Sequence, residues 1–276
     1  MPFDPQTKKY PYPDYTDGHY LKIKKDRGLV FDKNYNYVDK SKKFKFVQGL
    51  SRILLNLIVF PWSRINMGLK INGKDKLKKN LNIIKNGVIS CSNHIHMWDY
   101  IAIMKAIKPI RPYTIVWDKN VNGESGKLVR LVGGIPIPTN SVSGMIEFNR
   151  SINNLLNEGN WVHIYAEGSM WEYYMPIRPF KIGAATYSVR LDKPIIPMAF
   201  SYRKPNWFRR KILRQKALIT LNIGDPIFKN PVLQGEDQKK DLIIRVHNEI
   251  CNLAGIEPKE NIYPPIYDNN RRIDYY

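Results

Sequence analysis

The sequence has few of the residues that staple or chelate. Its 276 residues contain two cysteines, Cys91 and Cys251. They lie far apart without C-x-x-C spacing, which excludes a disulfide framework and reads as two reduced, buried thiols of an intracellular protein. Histidines number five, and only His94 and His96 stand close together. The chain opens Met1-Pro2-Phe3-Asp4, with no basic-then-apolar leader. No run of 18 or more apolar residues occurs, so no spanning helix is expected. Acidic residues are scarce, 24 against 44 basic, for a net charge of +20. A field of that sign attracts nucleic acid, anionic lipid or an acidic carrier protein without choosing among them. The cations come in small groups, at 22–25, 40–45, 74–79 and 209–216, and none forms a nucleic-acid module, so no nucleic-acid partner is expected.

What is present describes a folded chain. An apolar content of 43% over this length supports a substantial core, one large domain with added terminal segments. Residues 1–43 read as an irregular arm rich in Tyr, Pro, Asp and Lys. Residues 44–66 are mostly apolar, carry Lys45 and Arg52, and end near Pro61-Trp62. That segment reads as too short and too interrupted to span a bilayer. It suits either a helix in the interface plane of an anionic membrane or a core helix packed on the domain. Over 67–255, β-prone runs at 87–91, 113–117, 135–137, 161–165, 195–200 and 217–223 alternate with helical patterns at 100–107, 127–132, 143–157, 182–191 and 238–253. This order predicts an α/β fold with a mixed, mostly parallel sheet flanked by helices, preceded by the N-terminal apolar helical segment. A Pro- and Tyr-rich tail fills 256–276.

Two places carry chemistry. In the first, the strand at 87–91 runs into Ser92-Asn93-His94-Ile95-His96-Met97-Trp98-Asp99. A histidine at the carboxyl end of a strand sits where α/β folds open their ligand crevice. On one helix His94 and Asp99 would point about 140° apart. They meet only if the strand ends, the chain turns and a helix begins between them. The pair then suits a general base oriented by a carboxylate; the plainer alternative is a partly buried histidine and a helix-capping aspartate. In the second place, the strand 161–165 leads into Ala166-Glu167-Gly168-Ser169, followed by Arg178-Pro179-Phe180-Lys181-Ile182-Gly183-Ala184.

In order and spacing these blocks resemble the glycerolipid acyltransferase family, of the 1-acyl-sn-glycerol-3-phosphate acyltransferase type. Its N-H-x4-D block matches Asn93, His94 and Asp99. Its P-E-G-[TS] block matches Glu167, Gly168 and Ser169, with Ala166 where proline is usual. Its R-P-F-K-x-G-A run matches Arg178 to Ala184, and its last block resembles Ile195-Ile196-Pro197-Met198. The second block, G-x-I-F-I-x-R, is matched only in its frame, by Gly133, Ile135 and Ile137. The resemblance covers about residues 45–230. It implies an O-acyltransferase in which His94 takes the proton of a lipid hydroxyl as that oxygen attacks an acyl thioester, with Asp99 orienting the imidazole. Asn93, Glu167, Gly168, Ser169, Arg178 and Lys181 are then the substrate-binding residues, and Glu167 is either part of the acceptor pocket or a brace of its turn. The resemblance implies no metal and no bound cofactor. The donor is acyl-CoA or acyl-ACP, which would make acyl carrier protein a partner. The acceptor is a lysophospholipid or related lipid, and the setting is phospholipid biosynthesis at the cytoplasmic face of an anionic membrane, with the protein peripheral or monotopic.

The match fails on the acceptor side. Thr139 and Met170 stand where typical members of the family place the arginines that hold the acceptor phosphate, and neither can imitate a guanidinium. Either Arg178 and Lys181 take over, or the acceptor is not a simple glycerol phosphate. Trp171, Tyr173 and Tyr174 suit a bulky headgroup or plain packing. Two other classes compete: a metal-dependent hydrolase using His94, His96 and Asp99, and a non-enzymatic basic protein binding membrane or nucleic acid.

Overall fold

The computed structural model describes residues 18–19, 26–174 and 176–257. The expected tail from 258 on, and all of the arm except 18–19 and 26–43, lie outside the described residues.

Seven strands form one sheet: β1 (Lys70–Asn72), β2 (Val88–Ser92), β3 (Pro112–Trp117), β4 (Gly134–Ile137), β5 (Trp161–Tyr165), β6 (Ile195–Arg203) and β7 (Leu218–Ile223). Their order is β1-β7-β6-β2-β5-β3-β4. Only the β6–β7 pair is antiparallel, with Phe200 opposite Leu221; the other pairs are parallel, so the sheet is mixed and mostly parallel. Central strands of such a sheet are covered on both faces, which is why β2 is buried at every position. Alternate residues point to opposite faces. Ile89 and Cys91 join one core with Phe148, Leu155, Leu242 and Val246. Val88 and Trp161 join the other with Ile103, Phe200 and Leu221. Both cysteines are free and buried.

The helices are α1 (Lys42–Leu54), α2 (Phe60–Asn66), α3 (Lys74–Lys79), α4 (Leu81–Lys85), α5 (Asp99–Ala106), α6 (Asp118–Asn122), α7 (Gly126–Leu131), α8 (Val142–Asn157), α9 (Gly183–Leu191), α10 (Trp207–Lys211) and α11 (Gly235–Ala254). Leu155, Ala184 and Val246 carry α8, α9 and α11 onto the first core, and Leu77, Ile84 and Ile103 carry α3, α4 and α5 onto the second.

One expectation is corrected. A π-helical turn, Leu55–Val59, joins α1 to α2, making a single helix over Lys42–Asn66. This 25-residue helix is long and apolar enough to cross a membrane. Pro61 does not interrupt it, because the wider turn before it, in which Phe60 N–H bonds the Leu55 carbonyl, absorbs the missing donor. Nor is it a core helix along its length: no residue of α1 is buried, and only Phe60 and Ser63 of α2 are, Phe60 against Ile101 and Met104. One side is seated on the domain. Gln48 donates to the Leu131 carbonyl, Arg52 to those of Pro109 and Ile110, and Lys105 to that of Phe60. The other side exposes Phe46, Leu50, Ile53, Leu57 and Ile65 in a stripe with helical spacing.

Candidate active site

β2 ends at Ser92 and α5 begins at Asp99, so the six residues between them make the turn that the His94–Asp99 pairing requires. His94 Nδ1 lies 2.7 Å from Asp99 Oδ2. The carboxylate is buried, while the imidazole keeps 22% of its side-chain surface. Asp99 also folds back over its own turn, where Oδ2 accepts from the backbone N–H groups of Ile95 (3.3 Å) and His96 (3.4 Å). Its other oxygen accepts from Tyr165 Oη at 2.6 Å. The Tyr165 ring stacks on His94, with centroids 3.7 Å apart and 14° between planes. One tyrosine therefore fixes both members of the pair. Burial and the adjacent Asp99 raise its phenol well above the usual range, which keeps it a donor.

Below this pair lies a closed polar layer. His163 Nδ1 is 2.8 Å from Ser90 Oγ, and its Nε2 is 3.2 Å from Ser92 Oγ. Trp161 Nε1 donates to Ser90, and Ser92 donates to the Asn93 carbonyl. With these roles fixed, Ser90 donates to Nδ1 and Nε2–H donates to Ser92, a network that only neutral imidazole satisfies. Burial pushes the His163 pKa down to about 3.

The loop is held from above as well. Trp171 N–H donates to the His94 carbonyl and Tyr173 N–H to that of Ile95; Tyr202 Oη reaches the Ile95 carbonyl at 2.5 Å. Tyr173 takes a left-handed φ of 63° to do so. His96 has its own place in the turn. Its Nδ1 accepts from Trp98 N–H at 3.1 Å, and its Nε2 lies 3.5 Å from Glu172. Burial lowers the His96 pKa and raises that of Glu172. Among the described residues, no three His, Cys, Asp or Glu side chains gather as a metal ligand set.

Four of the residues expected to bind substrate are buried in the framework that holds the His94 turn. Asn93 is fully buried, its amide donating to the Phe200 carbonyl and accepting from Phe200 N–H. Glu167 accepts from His94 N–H (2.9 Å), Arg178 N–H (2.8 Å) and the Arg178 guanidinium (2.9 Å). Arg178 is 1% exposed and also bonds the Ser169 hydroxyl and carbonyl. This sequesters Arg178 from a ligand, so the alternative in which it takes over from a phosphate-holding arginine is revised. Gly168 and Lys181 are the exposed members of the set. Gly168 has φ +80°, and a Cβ there would stand 2.7 Å from Lys181 Cε, because the lysine stem lies across the turn. At the two positions where the family resemblance would place phosphate-holding arginines, Thr139 Oγ1 donates to Asp118 Oδ2 at 2.5 Å, and Met170 is buried. Trp171 and Tyr174 are buried against each other edge to face, so they serve packing.

Sequence reasoning missed Tyr165, Ser90, Ser92 and His163. Period-two alternation was the available signal, since Trp161, His163 and Tyr165 share one face of β5 beside Ser90 and Ser92 on β2.

Residues 68–201 match the family model described as Acyltransferase. No curated protein matches the sequence. Among solved structures, the chain is similar to the crystal structure of the 1-acyl-sn-glycerophosphate (LPA) acyltransferase, PlsC, from Thermotoga maritima. That similarity has 15% sequence identity and a TM-score of 0.50, and it covers 78% of this chain and 83% of that one. At that identity it shows a shared fold.

Proposed function

We propose, from the match of residues 68–201 to the Acyltransferase family model, that the protein transfers a fatty acyl group from an acyl thioester to a hydroxyl of a lipid acceptor. One observation carries the mechanism: a partly exposed imidazole at the end of β2, bonded through Nδ1 to a buried carboxylate 2.7 Å away. Nε2 of His94 takes the acceptor's proton as its oxygen attacks the thioester carbonyl. The tetrahedral oxyanion collapses, the carbon–sulfur bond breaks, and the thiolate leaves with the proton held on His94. Asp99 holds the imidazole in the required tautomer and stabilises the imidazolium. Tyr165 and the Ile95 and His96 amides hold Asp99. Glu167 and Arg178 act as braces, fixing the His94 backbone through the 2.9 Å bond to its N–H. Lys181, exposed beside Gly168, is the cation assigned to a developing oxyanion or an acceptor headgroup.

The donor is a coenzyme A or acyl carrier protein thioester, either of which suits a chain of net charge +20. The acceptor is a lysophospholipid or related lipid. Where the family resemblance would place a phosphate-holding arginine, this chain presents the Thr139–Asp118 pair. An acid there repels a phosphomonoester and favours a headgroup that offers hydroxyls. The Lys42–Asn66 helix is docked along its length, so its exposed stripe fits lying in the plane of an anionic bilayer at the cytoplasmic face. Purified protein supplied with long-chain acyl thioesters should release thiol only when a lipid acceptor is present, and faster with a sugar- or glycerol-headed lysolipid than with a lysolipid phosphomonoester. Thiol release independent of any acceptor would contradict transfer.

A further inference from the structure

The connection from β6 to β7 has an unusual surface. Residues 204–216 contain Trp207, Phe208, Ile212 and Leu213 among six cations, with no acidic residue. All four apolar side chains stand in solvent, Trp207 at 66% and Ile212 at 57% exposure. Lys204, Arg210, Lys211, Arg214 and Lys216 are exposed with them. No residue of α10 is buried, and within 204–216 only Pro205 and Gln215 are.

The segment is nevertheless fixed in place. Asn206 caps α10 by accepting from Arg209 N–H. Arg209 Nη1 donates to the Ile65 carbonyl at 3.1 Å and to Gln215 Oε1 at 3.0 Å. Gln215 Nε2 donates to the carbonyls of Ile65 (2.6 Å) and Asn66 (2.9 Å). These are terminal carbonyls of α2, which lack partners within their own helix, and a cation there is also favoured by the helix dipole. The bonds join 204–216 to the end of the long helix, where Trp62 and Ile65 are themselves exposed. Two apolar, basic surfaces distant in sequence thus become one.

We infer that residues 204–216 are a second membrane-contact element, which inserts Trp207, Phe208, Ile212 and Leu213 at the surface of an anionic phospholipid bilayer beside the Lys42–Asn66 helix; this rests on the membrane reading of that helix. Charge selects the occupant, because cations interleaved with interfacial aromatics complement anionic lipid headgroups. Position gives the contact a use. The element follows the carboxyl end of β6, and Tyr202 of that strand bonds the loop carrying His94. A single in-plane helix can roll about its axis, whereas a second contact beside it fixes which way the His94 crevice faces the lipid.

The test uses the full chain with an environment-sensitive fluorophore on Ile212→Cys or, separately, on Leu57→Cys of the long helix. The native cysteines are buried and do not compete for label under native conditions. Vesicles of phosphatidylcholine containing a minority of phosphatidylglycerol should shift both probes to the blue and shield both from an aqueous quencher. The double change Arg210→Gln with Lys211→Gln should lower vesicle partitioning about thirty-fold. If the Leu57 probe is shielded and the Ile212 probe stays accessible, the second contact is overturned while the helix reading stands. If neither is shielded, both fall. Shielding of Ile212 that follows protein concentration without lipid would make a second copy of the chain the occupant, and equal shielding on pure phosphatidylcholine would remove the anionic preference; either result overturns the inference.

Discussion

Asp99 accepts four hydrogen bonds, from His94, Tyr165 and the amides of Ile95 and His96, so its position is set by groups outside any substrate. Tyr165 acts on His94 only through that carboxylate and through stacking. Tyr165→Phe keeps the stacked ring and removes one of the four bonds. Its turnover should fall about tenfold with little change in KM, the pattern expected when a transition-state alignment is loosened; a raised KM with unchanged turnover would place Tyr165 in substrate binding instead. Glu167 offers a contrast. Its ion pair with Arg178 is buried on both sides at 2.9 Å, and removing one partner of such a pair typically costs about 3–5 kcal/mol. Glu167→Leu should therefore lower the urea midpoint sharply, and an unchanged midpoint would return Glu167 to the acceptor pocket. The His94–Asp99 pair was legible in the sequence because its chemistry is local. The Arg178 assignment was not settled there, since a sequence shows a cation without showing whether its partner is Glu167 or a ligand.

At the scale of elements, the buried strands were readable because both faces are covered, leaving compact β-prone runs such as 161–165. β1 was missed: Lys70-Ile71-Asn72 is three residues at the sheet edge, without alternation. The Lys42–Asn66 helix was misjudged for length because Lys45, Arg52 and Pro61 break the apolar run without breaking the helix. A hydropathy count weighs all sides together, whereas Arg52 turns to the Pro109 and Ile110 carbonyls and leaves the outward stripe apolar. Phe46, Leu50, Ile53 and Leu57 would each gain roughly 1.5–3 kcal/mol if taken out of water. Leu57→Asp should accordingly weaken partitioning onto anionic vesicles by about tenfold or more while leaving the thermal midpoint within a degree or two, because Leu57 is 72% exposed and supports no core contact. Unaltered partitioning would show that the stripe faces something other than lipid.

For the whole molecule, the cost of the polar layer beneath the site appears in its pH dependence. Burial holds His163 neutral with a pKa of about 3 and lowers that of His247 as well. In the unfolded chain both titrate near 6.5. Between those values the unfolded state binds more protons, so stability rises with pH there. The His163 contribution is complete above about pH 6.5 and is lost progressively as pH falls toward 3. Urea midpoints should decline from neutral pH to pH 4, and less steeply in His163→Gln; equal slopes would show that another group governs acid unfolding. The fold class was legible at this scale from the alternation of strands and helices. The crevice framing was not, because Asn93 with Phe200 and His94 with Glu167 are pairings that only the assembled sheet creates.

The central claim is that His94 is the base of an acyl transfer, and acceptor-dependent thiol release by His94→Ala tests it most directly. His94 borders the crevice, so the variant should keep the wild-type circular dichroism spectrum and urea midpoint. Its transfer rate should drop about 100- to 10,000-fold at saturating donor and acceptor, the range expected for loss of a positioned general base. A folded His94→Ala protein that transfers acyl groups at the wild-type rate would contradict the account.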